Sequence, residues 1–178
     1  MKATGIVRRI DDLGRVVVPK EIRRNLHIRE GDPLEIFVDN GAVCYKKYSP
    51  IGTIGMFAEQ YAETLSKVTG LSVCITDRDN IIAVSGKPKR ELIEKRVSNA
   101  LEKVMEDRTM FVAEASDKSV PMVDGLNNYA AGLVSPIIFE GDIIGSVVFL
   151  NDAGKGKIGD VEITLARSAS DFLGKITT

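Results

Sequence analysis

Residues 5–24, GIVRRIDDLGRVVVPKEIRR, restrict the fold more than any other stretch of this 178-residue chain. Thr4 to Ile10 reads as a first strand, with Ile6, Arg8 and Ile10 on one face and Gly5, Val7 and Arg9 on the other. The turn Asp11-Asp12-Leu13-Gly14 follows, and Gly14 supplies a positive φ that few other residues tolerate. Arg15 to Val18 is β-branched and reads as a second strand, after which Pro19 presets the φ at which a helix begins. Lys20 to Leu26 is predicted as a short helix with Ile22 and Leu26 on its inner face and Arg23 and Arg24 beside them.

Gly31-Asp32-Pro33 closes that helix. Leu34 to Val38 alternates as a half-buried strand does, Asn40-Gly41 is a strong signal for a type I′ turn, and Ala42 to Tyr48 returns as the partner strand. A module this short buries too little apolar surface to offset its conformational entropy. Cys44 and Cys74 form no CxxC or Cys/His spacing and read as free, buried thiols, and a single histidine leaves zinc without its usual donors. Oligomerisation is the remedy that remains, so the expectation is an obligate dimer with an intertwined sheet core.

Charge separates the two ends of the chain. Residues 1–50 carry 10 Lys/Arg against 7 Asp/Glu, whereas residues 51–178 carry 14 against 18. The asymmetry suggests a nucleic-acid end and a different second domain. Guanidinium groups bridge phosphate oxygens or the O6/N7 edge of guanine bidentately, which lysine does not match. The alternative is that these arginines are solvated or paired with Asp11, Asp12 and Glu21; the clustering of several within one apolar frame favours DNA.

The run TGIVRRIDDLGRVVVPKEIRRNLHI, followed by GDPLEIFVDNGAVCYKKY, closely resembles the AbrB-type swapped-hairpin DNA-binding domain of bacterial transition-state regulators. The resemblance covers about the first fifty residues. It implies a homodimer that interleaves hairpins into a β-barrel and meets double-stranded DNA with Arg8, Arg15, Arg23 and Arg24. Arg9 and Lys20 are flanking candidates, since the family often has lysine at the first position and an apolar residue at the second. Few side chains suited to reading bases accompany them, which points to recognition through DNA shape as well.

Domain boundaries follow from composition: 1–50 for the first domain, 51–55 for a short linker rich in glycine, and 56–178 for the second. Met56 to Thr69 is predicted as a helix with Phe57, Tyr61, Leu65 and Val68 on its apolar face, capped by Gly70 and equally suited to packing on its own domain or across chains. Strands at Leu71–Thr76 and Ile81–Val84, a helix over Glu91–Met105, a strand at Thr109–Ala113, a polar loop over Glu114–Asn128, a hairpin over Tyr129–Leu150 and a last helix from Asp160 complete it. Val161, Leu165, Ala169 and Phe172 are the expected core face of that last helix. This order describes an α+β arrangement with a central antiparallel sheet. With the hairpin GLVSPIIFEGDIIGSVVFLND it resembles a GAF domain, a small-molecule sensor module. The resemblance allows an unidentified effector; long loops over a sheet commonly form lids, so its expected lining is the sheet face with the 114–128 loop, and the expected assembly is a homotetramer of paired dimers.

Catalysis finds no support. Gly154 to Gly159 matches GxGxxG, but only one helix follows and no second parallel strand, so it reads as a solvated loop. His27 is a helix-end or surface residue with no second histidine to pair with, and the aspartates sit in turns. No cofactor or metal is expected. No apolar run approaches a membrane span, and the start breaks into charge too early for a signal peptide, so the protein is expected in the cytoplasm. With the absence of a catalytic constellation, the two resemblances together imply a non-enzymatic transcription regulator, similar to sporulation regulators of endospore-forming bacteria, acting as activator or repressor. Its rivals are an antitoxin-like or scaffold protein, disfavoured by the folded pattern of residues 56–178, and an enzyme built on the second domain.

Overall fold

In the computed structural model, which describes residues 5–49, 51, 55–86, 89–114, 120–151 and 158–176, the chain divides between Tyr48 and Ser49 into two units. The first unit contains helix α1 (Lys20–Asn25) and the antiparallel hairpin β1 (Leu34–Asp39) and β2 (Ala42–Lys47). Asn40 and Gly41 join the strands with φ of 46° and 77°, as the type I′ turn requires.

The strands expected at 4–10 and 15–18 do not form a ladder over the described residues. Only their turn is built: the Gly14 N–H donates to the Asp11 carbonyl at 3.0 Å and the Asp11 N–H to that of Arg15 at 3.1 Å. A ladder needs a neighbouring strand, and β1 and β2 pair with each other alone. Leu26, expected on the inner face of α1, is exposed, and Ile22 is only half-buried. No described residue of 5–48 is buried. Ile36, Val38, Val43 and Tyr45, which face one another across the hairpin, form an exposed apolar surface.

The second unit has its own core. It comprises α2 (Gly55–Thr69), β3 (Val73–Asp77), β4 (Ile81–Ser85), α3 (Lys89–Leu92), α4 (Asn99–Glu106), β5 (Phe111–Val112), β6 (Val120–Val123), β7 (Leu126–Phe139), β8 (Asp142–Leu150) and α5 (Asp160–Lys175). The strands form an antiparallel sheet in the order β4-β3-β8-β7-β5, with β6 also on β7. Helices α2 and α5 cover one face over Ile75, Leu133, Val147 and Phe149, and α3 and α4 cover the other over Cys74, Val134 and Val148. The architecture is α+β. At the centre β3 approaches Gly145 so closely that a Cβ there would lie 2.0 Å from the Thr76 carbonyl oxygen, and no side chain fits.

Four expectations are corrected here. The single helix over Glu91–Met105 is broken into α3 and α4, because residues 94–97 bond to the β3–β4 turn instead. Glu94 N–H reaches the Ile81 carbonyl at 2.8 Å, Ile81 N–H that of Lys95 at 2.9 Å, and Val97 N–H that of Asp79 at 2.8 Å. Ser98 then restarts the helix as its N-cap, accepting from Leu101 N–H at 3.0 Å. Part of the expected loop over Glu114–Asn128 is a hairpin, β6 and the start of β7, turned at Asp124-Gly125; residues 115–119 lie outside the described residues.

Both long helices are rotated from the expected face. Helix α2 buries Ala58, Ala62 and Leu65 rather than Phe57 and Val68, and α5 buries Ala166, Ala169, Ser170 and Leu173 rather than Val161 and Phe172. Alanines bring these helices close to the sheet beside Leu65 and Leu173, while Phe57, Val68, Val161 and Phe172 stay exposed. Ile51, expected in the linker, is completely buried among the α2 and sheet residues, and Ser49 Oγ hydrogen bonds to Asp77 Oδ2 at 3.1 Å. The rest of the linker, Pro50 and residues 52–54, and most of the GxGxxG stretch, 152–157, lie outside the described residues.

Candidate nucleic-acid interface

The six basic residues singled out in the first unit are all exposed and fall into two groups. Lys20, Arg23 and Arg24 share one face of α1, by their spacing of three and four. Glu21 in the first turn and Arg23 and Arg24 in the last match the polarity of the helix dipole. His27 ends the helix in the left-handed region, φ 52°. Its N–H donates to the Arg24 carbonyl at 3.2 Å and the Ile28 N–H to the Arg23 carbonyl at 2.8 Å, the two bonds of a Schellman cap. The backbone carrying both guanidinium groups is thereby fixed.

That cap is tied to the hairpin. Lys47 Nζ donates to the His27 carbonyl at 2.9 Å and lies 3.2 Å from Asp32 Oδ2, which also accepts the Arg29 N–H at 2.8 Å. Helix and hairpin therefore move as one body.

Arg8, Arg9 and Arg15 flank the Asp11–Gly14 turn. The Arg8 guanidinium donates to the Val7 carbonyl at 3.3 Å, and Arg15 Nε donates to Asp11 Oδ2 at 2.9 Å. The side chains of Arg9, Lys20, Arg23 and Arg24 make no hydrogen bond or ion pair with a described residue. Of the carboxylate pairings considered from sequence, only Asp11 with Arg15 forms among the described residues. Asp11 thus serves the turn and an arginine at once, the two roles the sequence offers it. Unpaired, exposed cations on fixed backbone are the arrangement an anionic polymer requires.

The second unit offers no comparable chemistry. Among the described residues no three His, Cys, Asp or Glu side chains gather to hold a metal, and no helix is long and apolar enough to cross a membrane. The sheet face expected to hold an effector is packed by Met105, Met122, Tyr129 and Leu101, all buried. Tyr129 donates its hydroxyl to the Glu91 carboxylate, and that hydrogen bond, with burial, pushes the phenol above its usual range.

Comparison with known proteins agrees with both units. Residues 53–177 match a family described as "Stage V sporulation protein T C-terminal, transcription factor", and residues 7–50 one described as "Antidote-toxin recognition MazE, bacterial antitoxin". Stage V sporulation protein T of Bacillus subtilis (strain 168) is 52% identical over 180 residues, spanning 98% of each chain. The transition state regulatory protein AbrB of the same organism is 49% identical over 70 residues, 39% of this chain and 73% of its own. Among solved structures, the GAF domain of an Acinetobacter phosphoenolpyruvate-protein phosphotransferase matches 70% of this chain and 81% of its own with a TM-score of 0.56 at 12% identity, a likeness of fold alone. The chain belongs to the stage V sporulation protein T family, a family of transcription factors.

Proposed function

We propose that this sporulation transcription factor grips double-stranded DNA in the cytoplasm as an intertwined dimer of residues 1–50, with Arg8, Arg15, Arg23 and Arg24 on the DNA and Arg9 and Lys20 flanking them. The observation that carries the reading is a module in which no described residue is buried and which nonetheless holds six exposed cations, three of them on a capped helix tied to the hairpin. Apolar strands left uncovered at Ile36, Val38, Val43 and Tyr45 gain a core from a second copy. The similarity to AbrB supports the same assignment.

Residues 56–178 join two such dimers into a tetramer. The support is an exposed apolar stripe on α2 and α5, with Met56, Phe57, Val68, Val161 and Phe172 uncovered and Tyr61 stacked on Phe172 at 5.5 Å. Scattered apolar side chains on a surface are ordinary, but a stripe at helical spacing on two packed helices marks an interface. A small-molecule effector of this domain has to displace Met105, Met122 or Tyr129, so it acts by reshaping the α4 side of the sheet.

The test is DNA binding by the full chain over a salt series, with the mass measured in solution. About eight phosphate contacts per dimer give a slope of log K on log salt near −7. Salt-independent binding, or none to promoter DNA at low salt, overturns the reading and moves the function to a protein partner, as the antitoxin match of residues 7–50 allows. Replacing Phe57 and Phe172 together by glutamate is expected to halve the mass from tetramer to dimer while the second unit stays folded. A tetramer that survives both changes rules out the α2/α5 stripe as the joint.

A further inference from the structure

Asp11 stands in the middle of a basic surface, where a carboxylate opposes binding of a polyanion. Its geometry gives it a purpose. Oδ1 accepts two backbone N–H groups, from Leu13 at 3.0 Å and Arg15 at 2.8 Å, and closes the turn. Oδ2 takes Arg15 Nε at 2.9 Å. A guanidinium has five N–H donors, and a carboxylate on Nε leaves the edge formed by the two Nη groups open. That edge can meet guanine O6/N7 or two phosphate oxygens in a bidentate contact.

We propose that Asp11 is a positioning residue that aims Arg15 at DNA and confers sequence preference at the expense of general affinity. The inference rests on Arg15 being a DNA contact, as argued above. A free arginine side chain samples many rotamers, and holding one before DNA arrives reduces the entropy lost on binding. A lone arginine serves any phosphate, whereas an arginine locked at Nε and aligned with its own turn presents one edge in one direction. The hydrogen bond from the Arg15 backbone, then that from its guanidinium, hold the Asp11 carboxyl below its usual range against a smaller opposing effect of desolvation.

Asp11→Asn separates the two jobs of the carboxylate. Its amide oxygen still accepts from the backbone of Leu13 and Arg15, but its NH2 faces Arg15 Nε donor to donor and releases the guanidinium. The experiment measures affinity of the full chain for two DNAs: a duplex enriched from a random library by the unmodified protein, and poly(dI·dC). Asp11→Asn is expected to bind the enriched duplex about tenfold more weakly, the scale of one bidentate contact, while poly(dI·dC) is bound as well or better for the lost negative charge. Asp11→Ser, which also keeps a turn acceptor, is expected to show the same loss. In an Arg15→Ala background neither change weakens binding to the enriched duplex any further.

Equal tightening on both DNAs shows Asp11 to be only a misplaced charge and overturns the proposal. So does an Asp11→Asn loss that persists undiminished in the Arg15→Ala background. Arg15→Ala with full affinity is a different failure, because it removes Arg15 from the DNA surface altogether.

Discussion

Arg24→Ala is expected to reduce DNA affinity by about 30-fold or more, and to do so on every sequence tested. One contact of an arginine with DNA is worth about 1–3 kcal/mol, and a two-fold symmetric dimer loses two at once, about 2–6 kcal/mol in all. The salt slope should fall by about two, because two phosphates are no longer neutralised. Stability changes little: the side chain is exposed, makes no hydrogen bond or ion pair with a described residue, and the cap bond at this position uses its carbonyl rather than its guanidinium. Arg90→Ala, in the second unit and also exposed, should leave affinity unchanged. A normal salt slope in Arg24→Ala takes α1 off the DNA.

Arg24 and Asp11 also show where the sequence was legible. Features dictated by one or two residues were read directly. Gly14 and the Asn40-Gly41 pair adopt the positive φ their turns demand, Pro19 precedes α1, and the Asp77 side chain closes the β3–β4 turn by accepting from Asp79 and Asn80. Features decided by distant partners were not. Nothing local in Glu91–Met105 reveals that residues 94–97 bond more favourably to Asp79 and Ile81 than to a helix of their own. The hairpin at β6 was hidden by Pro121 inside it, although Asp124-Gly125 is a turn signal of the same type as Asn40-Gly41.

The rotated helices teach a sharper point. Apolar periodicity located α2 and α5 and placed Leu65 and Ala169 in the core, but it put Phe57, Val68, Val161 and Phe172 there too, because periodicity measures where large apolar side chains lie, not what covers them. In α2 the alanines at 58 and 62 face the sheet, and Phe57 and Val68 face outward. The same ambiguity runs through the first unit in a more extreme form, where apolar alternation located β1 and β2 and yet no described side chain of residues 5–48 is buried. In both units apolar side chains stay exposed on the single chain, and the assembly proposed above covers them.

That reasoning makes Ile36 the residue on which the assembly is most sharply tested. It lies centrally in β1 opposite Tyr45, with 60% of its surface exposed in the single chain. Substitutions at a truly exposed site usually change stability by no more than about 0.5 kcal/mol. Ile36→Asp is expected instead to cost about 4 kcal/mol or more per chain, the scale of an unpaired charge placed in an apolar interior. Because no described residue of the unit is buried in the single chain, the loss should unfold residues 1–48 rather than leave a folded monomer. Two thermal transitions follow from two units, so the variant should keep the transition of residues 49–178 and lose the other. DNA binding should disappear with it. Glu35→Gln, next in sequence but on the opposite face of the strand, should preserve both transitions. The lower transition of the unmodified protein should also rise with protein concentration, as dissociation coupled to unfolding requires. An Ile36→Asp protein that retains both transitions and binds DNA normally would show that the hairpin face is solvent-exposed in the working molecule, and the intertwined dimer would have to be abandoned.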